Sequence, residues 1–114
     1  MEIKIVKDKI AKKELKKMAE ETFLDMVKAV VDIKKEILAV GGELHADAET
    51  ELLKLGSTQE ALWGINLYPD KPKEQMIEFS SLINIRPRQD NRSMEITSEE
   101  IRNKIKAIIN NIVE

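Results

Sequence analysis

All four arginines of this chain lie beyond residue 85. Three of them, Arg86, Arg88 and Arg92, fall within seven positions in a sequence that otherwise uses lysine for positive charge. A guanidinium holds a carboxylate or phosphate through two parallel hydrogen bonds, which a lysine point charge cannot do. Gln89, Asn91 and Ser93 interleave with these arginines. Asn66 and Asn84 occupy matching places in two similar segments, Ile65-Asn66-Leu67-Tyr68-Pro69 and Ile83-Asn84-Ile85-Arg86-Pro87. Arg86, Arg88, Arg92, Asn66 and Asn84 therefore form a candidate cleft for a small anionic or phosphorylated ligand. The competing reading pairs the arginines with Asp90, Glu78 and the acidic 41–70 segment, so that they hold the fold and bind nothing.

A second candidate surrounds the only histidine. In Gly41-Gly42-Glu43-Leu44-His45-Ala46-Asp47 an extended backbone puts Glu43, His45 and Asp47 on one side, because side chains alternate along a strand. Glu43 and His45 are thus the candidate catalytic pair, with Glu43 holding the ring while His45 transfers a proton. Structural roles compete here too: Asp47 as a helix cap, Glu43 as a surface acid, and His45 bonded to backbone near a helix start. No metal is expected, since a catalytic zinc site commonly draws on several histidines and the chain has one histidine and no cysteine. No cofactor is expected either, because phosphate-loop, dinucleotide, nucleophile-elbow and HExxH spacings do not occur in the sequence.

Charge narrows the partners. Nineteen basic and 21 acidic residues leave a net charge of -2, which removes the electrostatic argument for non-specific binding to nucleic acid or an anionic membrane. Aromatic residues make up only 4% of the chain, too few for a base-stacking platform, so nucleic-acid binding is disfavoured. The alternative to ligand binding is a non-catalytic interaction module, a homodimer joined through an exposed sheet edge or the isoleucine-rich C-terminal helix. An RNA-acting protein, resting on the late arginines alone, is the third reading.

The elements that must position these residues follow from periodicity. Ile3, Ile5 and Val6 predict a first strand. From Asp8, read as a cap, to about Thr22 the apolar residues Ile10, Leu15, Met18 and Ala19 share a helical face opposite four lysines. Residues 27–33 and 36–42 are rich in β-branched side chains and predict a hairpin, with one helix over 22–39 as the competitor. Asp47 is read as the cap of a second helix running through Leu55 with Gly56 at the C′ position, and Ser57-Thr58-Gln59-Glu60 as a capping box leading into the next strand. Residues 62–69 and 76–87 predict a second hairpin. Trp63, Ile65 and Leu67 face the core with Phe79, Ile83 and Ile85, while Asn66, Glu78, Ser80, Leu82, Asn84 and Arg86 take the other side. Thr97-Ser98-Glu99-Glu100 opens a last helix carrying Ile101, Ile105, Ile108, Ile109 and Ile112.

The order β-α-β-β-α-β-β-α predicts an α+β fold: an antiparallel or mixed sheet of about five strands with helices packed on one face. A chain of 114 residues makes one domain, 1–114. The opening MEIKIVKDKI lacks an apolar signal region and no apolar run approaches the ~18 residues of a membrane span, so a cytoplasmic setting with no membrane contact is expected.

At GGELHAD, LWGINLYP, SLINIRP and DNRS the sequence resembles a family of small uncharacterised microbial proteins, a domain of unknown function with similar segments in this order. The resemblance covers most of the chain. It implies one domain and a cytosolic setting, and it assigns no catalytic or binding residue.

Overall fold

Alternating and continuous apolar runs build the sheet. A computed structural model describes residues 2–114. Its strands are β1 (Ile3–Val6), β2 (Val27–Asp32), β3 (Ile37–Gly41), β4 (Leu62–Leu67) and β5 (Ile77–Glu78). Its α-helices are α1 (Lys12–Glu20), α2 (His45–Lys54) and α3 (Glu99–Ile112). The fold is α+β in the expected element order, and the five strands pair in the order β1-β3-β2-β4-β5. Every pairing is antiparallel.

The sequence reading expected the helices on one face; they cover both. Val27, Ala29, Val31, Leu38, Val40, Trp63, Ile65 and Leu67 pack against Leu15 and Ala19 of α1 and the isoleucines of α3. On the opposite face Val30, Ile37, Ala39 and Leu62 pack against Ala48 and Leu52 of α2. The central strands are apolar at successive positions, as strands covered on both sides are, and that leaves the second face needing its own helix.

The β2–β3 hairpin forms without an Asn-Gly turn because Asp32 supplies the turn chemistry. Its Oδ1 accepts the backbone N–H of Lys34 and of Lys35, each at 2.9 Å, while Glu36 takes a left-handed φ of 57°. Asp32 Oδ2 accepts the Ser57 hydroxyl at 2.6 Å, so Ser57 ties the turn to the start of β4 and does not cap the short 3₁₀ turn Gln59–Ala61.

Two helix starts differ from expectation. Asp8 does not cap α1. The chain is still extended at Ile10, whose N–H donates to the Ile112 carbonyl at 2.9 Å, and Ala11 stands at the helix entrance. Asp47 does not cap α2 either, because that helix begins two residues earlier, at His45, with Leu44 at the entrance. Its end is as expected: Gly56 at φ 95° lets the N–H of Gly56 and of Ser57 return to the carbonyls of Leu53 and Leu52.

The largest departure is the strand expected over 76–87. Only Ile77 and Glu78 pair with β4. Beyond them Phe79 packs on the first face, Ile83 crosses to the second, and Ile85 is exposed. Two 3₁₀ turns, Leu82–Asn84 and Pro87–Gln89, replace the strand.

Candidate functional site

When β5 stops at Glu78, the edge of β4 loses its partner, and buried backbone groups must find others. Asn84, fully buried, supplies them: its Oδ1 accepts the Gly64 N–H at 2.8 Å and its Nδ2 donates to the Gly64 carbonyl at 2.9 Å. One side-chain amide thus stands in for a residue of the missing strand. Asn91 does the same for the loop. Its Nδ2 donates to the carbonyls of Asn84, Ser93 and Glu95, and its Oδ1 accepts the N–H and hydroxyl of Thr97.

Arg86 is consumed by the same work. Nε donates to the Ile83 carbonyl, Nη1 to the Gln59 carbonyl and Gln89 Oε1, and Nη2 to the Leu62 carbonyl and Glu49 Oε2. The guanidinium lies over the Trp63 ring, 4.7 Å from its centroid. Five N–H donors meet five acceptors, so Arg86 has no fork left for an anion. Burial pulls its pKa down, against the pull of Glu49 and Glu60. Burial pushes the Glu49 carboxyl up, and this outweighs the opposing effect of Arg86.

Arg88 and Arg92 are exposed and make no hydrogen bond or ion pair among the described residues. Glu43 is exposed in the bend before α2 and makes no hydrogen bond to His45 among the described residues; the turn into the helix breaks the alternation that would have aligned them. The structure therefore separates Arg86, Arg88, Arg92, Asn84 and Glu43 from the two residues it does bring together, His45 and Asn66.

Those two meet in a cleft of about 450 Å³ between the start of α2 and the 80–83 segment. Lys28, His45, Asn66, Ser80 and Ser81 form its polar part, and Met26, Leu44, Leu82, Ile83 and Met94 its apolar walls. Leu44, Leu82 and Met94 are exposed, Leu82 at 72%. Among the described residues no acid lines the cleft. α2 carries no side-chain cap, and the backbone N–H groups of His45 and Ala46 find no partner among the described residues. The positive end of the helix dipole therefore opens beside Lys28.

His45 Nε2 lies 2.8 Å from the Ile65 carbonyl oxygen, which can only accept, so Nε2 carries the proton. Burial holds the ring pKa below 6.5, assisted by Lys28 and opposed by the Ile65 carbonyl and Asn66. At neutral pH the ring is uncharged. Asn66 Nδ2 donates to Glu78 Oε1 at 2.8 Å, and Glu78 Oε1 also accepts the Tyr68 hydroxyl at 3.1 Å. Asn66 Oδ1 is buried and has no hydrogen-bond partner among the described residues.

Sequence reasoning missed Lys28, Leu44 and Met94. Besides His45 and Asn66 it carried one further signal of the cleft: Leu82, an apolar residue on the otherwise polar side of the expected strand. Among the described residues no group of three or more His, Asp or Glu is placed to hold a metal ion. No helix among them is long and apolar enough to cross a membrane.

The family described as Protein of unknown function (DUF5674) matches residues 4–112, and the chain belongs to it. No curated protein and no solved structure matches the chain.

Proposed function

We propose that the protein binds a small anionic amphiphile, an organic acid with an apolar body, in the cleft between α2 and the 80–83 segment. One observation carries this reading: the uncapped start of α2 and Lys28 converge on a mostly apolar cleft that no acid lines. The volume suits a small molecule, and apolar walls with a few convergent polar groups are what ligand sites present. The anionic class is the one first suggested by the arginines, but Lys28 and the helix start take over their part. A cytoplasmic setting belongs to the same proposal, in keeping with a chain of 35% charged residues.

Thermal unfolding with hexanoate, octanoate and decanoate tests it. Each methylene that the walls bury is worth about 0.8 kcal/mol, or roughly fourfold in affinity, until the cleft is full. Lys28→Glu is expected to abolish the shift, and Leu82→Ser, at an exposed position, to flatten the dependence on chain length. No shift with any of these acids would overturn the proposal. Self-association through the outer edge of β1, which among the described residues pairs only with β3, is the second reading.

A further inference from the structure

The His45 imidazole is fixed at one nitrogen and free at the other. With the proton on Nε2, held by the Ile65 carbonyl of β4, Nδ1 keeps a lone pair. Nδ1 makes no hydrogen bond among the described residues, and it is not among the buried unpartnered atoms, Trp63 Nε1 and Asn66 Oδ1. It therefore meets solvent on the cleft side, although the residue is only 8% exposed. The uncapped N–H of this residue and of its neighbour Ala46 lie a few bonds away. One short stretch of wall thus offers two backbone donors and one acceptor side by side.

A plain carboxylate satisfies the donors but sets its negative oxygens against the Nδ1 lone pair. An acid with an O–H or N–H on the carbon next to its carboxylate satisfies both at once. We infer that the cleft selects 2-hydroxy or 2-acylamino acids, the carboxylate held at the start of α2 and the neighbouring O–H or N–H donated to His45 Nδ1. This rests on the reading of the cleft as an anion site. Among the described residues no side chain is hydrogen-bonded to Nδ1: Lys28 on β2 and the Ser80 and Ser81 hydroxyls are the other donors that line the cleft, Asn66 on β4, which also supports the ring, spends its Nδ2 on Glu78 of β5, and Glu43 and Asp47 beside His45 are carboxylates.

The test compares 2-hydroxyoctanoate with octanoate by NMR titration at pH 7.5, reading the ring signals of the only histidine. The hydroxy acid is expected to bind roughly fivefold more tightly, the contribution of one net hydrogen bond. The His45 ring is expected to titrate lower in that complex than in the octanoate complex, since an O–H donor favours the neutral ring. His45→Leu should bind both acids alike. His45→Gln can donate to Ile65 and keep an acceptor, so it should retain the preference and lose its pH dependence. If His45→Leu fails to fold, the wild-type comparison and the His45→Gln profile decide. Equal affinities and equal ring titration in the wild type would overturn the selectivity and leave the cleft as an anion site. Binding of neither acid would overturn the cleft reading itself.

Discussion

Arg86 and His45 show how a buried polar residue spends its hydrogen bonds, and each makes a measurable prediction. Arg86 sits beside Glu49 at 3.5 Å, yet burial pushes the Glu49 carboxyl up more strongly than Arg86 pulls it down. The ion pair is therefore the lesser part of what Arg86 contributes. The greater part is the set of backbone carbonyls, Ile83, Gln59 and Leu62, that the planar fork reaches and a lysine cannot. Arg86→Lys is expected to destabilise by about 2–4 kcal/mol, through carbonyls left unpaired, whereas Glu49→Gln is expected to cost under ~1 kcal/mol. Urea denaturation of the two variants checks this ordering. Arg88→Ala and Arg92→Ala, at exposed positions without partners, should stay within ~0.5 kcal/mol of the parent. His45 has a folded pKa below 6.5, so the unfolded chain binds more protons in the window between the two values. Stability is therefore complete above pH 6.5 and falls as pH drops through the lowered pKa. His45→Gln should flatten that part of the stability profile.

Asn84 carries the corresponding argument at the scale of an element. Its amide replaces the pairing that β5 fails to give β4, donating and accepting at Gly64. Asn84→Asp keeps the acceptor, and at low pH, where Asp is protonated, its O–H can take over the donor, whereas Asn84→Ala loses both; about 1–3 kcal/mol for each buried group left unpaired places Ala below Asp in stability at low pH. Gly64 is the other half of this junction. A Cβ there would stand 2.6 Å from Ser81 Cβ, so Gly64→Ala should destabilise, and Ser81→Gly should recover part of the loss in a double-mutant cycle. The same junction explains what was legible in the sequence. α3 and the β2–β3 hairpin were readable because their isoleucines and valines repeat with the period of the element. The 79–97 loop was not, because Phe79, Ile83 and Ile85 mimic strand alternation while side chains of Ser81, Asn84, Arg86 and Asn91 satisfy the backbone. Sequence displays how many donors Arg86 and Asn84 possess, not which carbonyls claim them. Those residues looked like ligand-binding groups for the same reason that they suit the loop. His45 and Asn66 were found by type alone, and Lys28 was hidden inside a strand that reads as core.

At the scale of the whole molecule, the two faces of the sheet are covered unequally, and this creates the cleft. α1 and α3 close the first face, whereas α2 lies over β1, β3 and β2, and the 82–84 turn lies over β4. Leu44, Leu82 and Met94 border the gap between them, which raises the question of whether a second copy covers it. Three side chains fall far short of the roughly 800 Å² per partner that a stable interface buries. The C-terminal helix cannot add the rest, since Ile105, Ile108, Ile109 and Ile112 are already buried in the core. What remain are the two sheet edges: β5, two residues long with Glu78 in it, and the outer edge of β1, four residues long with Lys4 inside it and Glu2 and Lys7 beside it, charges of the kind that discourage edge pairing. A monomer of 13.1 kDa is therefore the expected result of light scattering at ~200 µM. A dimer that survives Leu82→Ser but is lost in Ile5→Pro, which removes a backbone donor from β1, would move self-association ahead of ligand binding. A dimer lost in Leu82→Ser would instead make the cleft the interface, and the organic acids would then be expected to compete with the second copy.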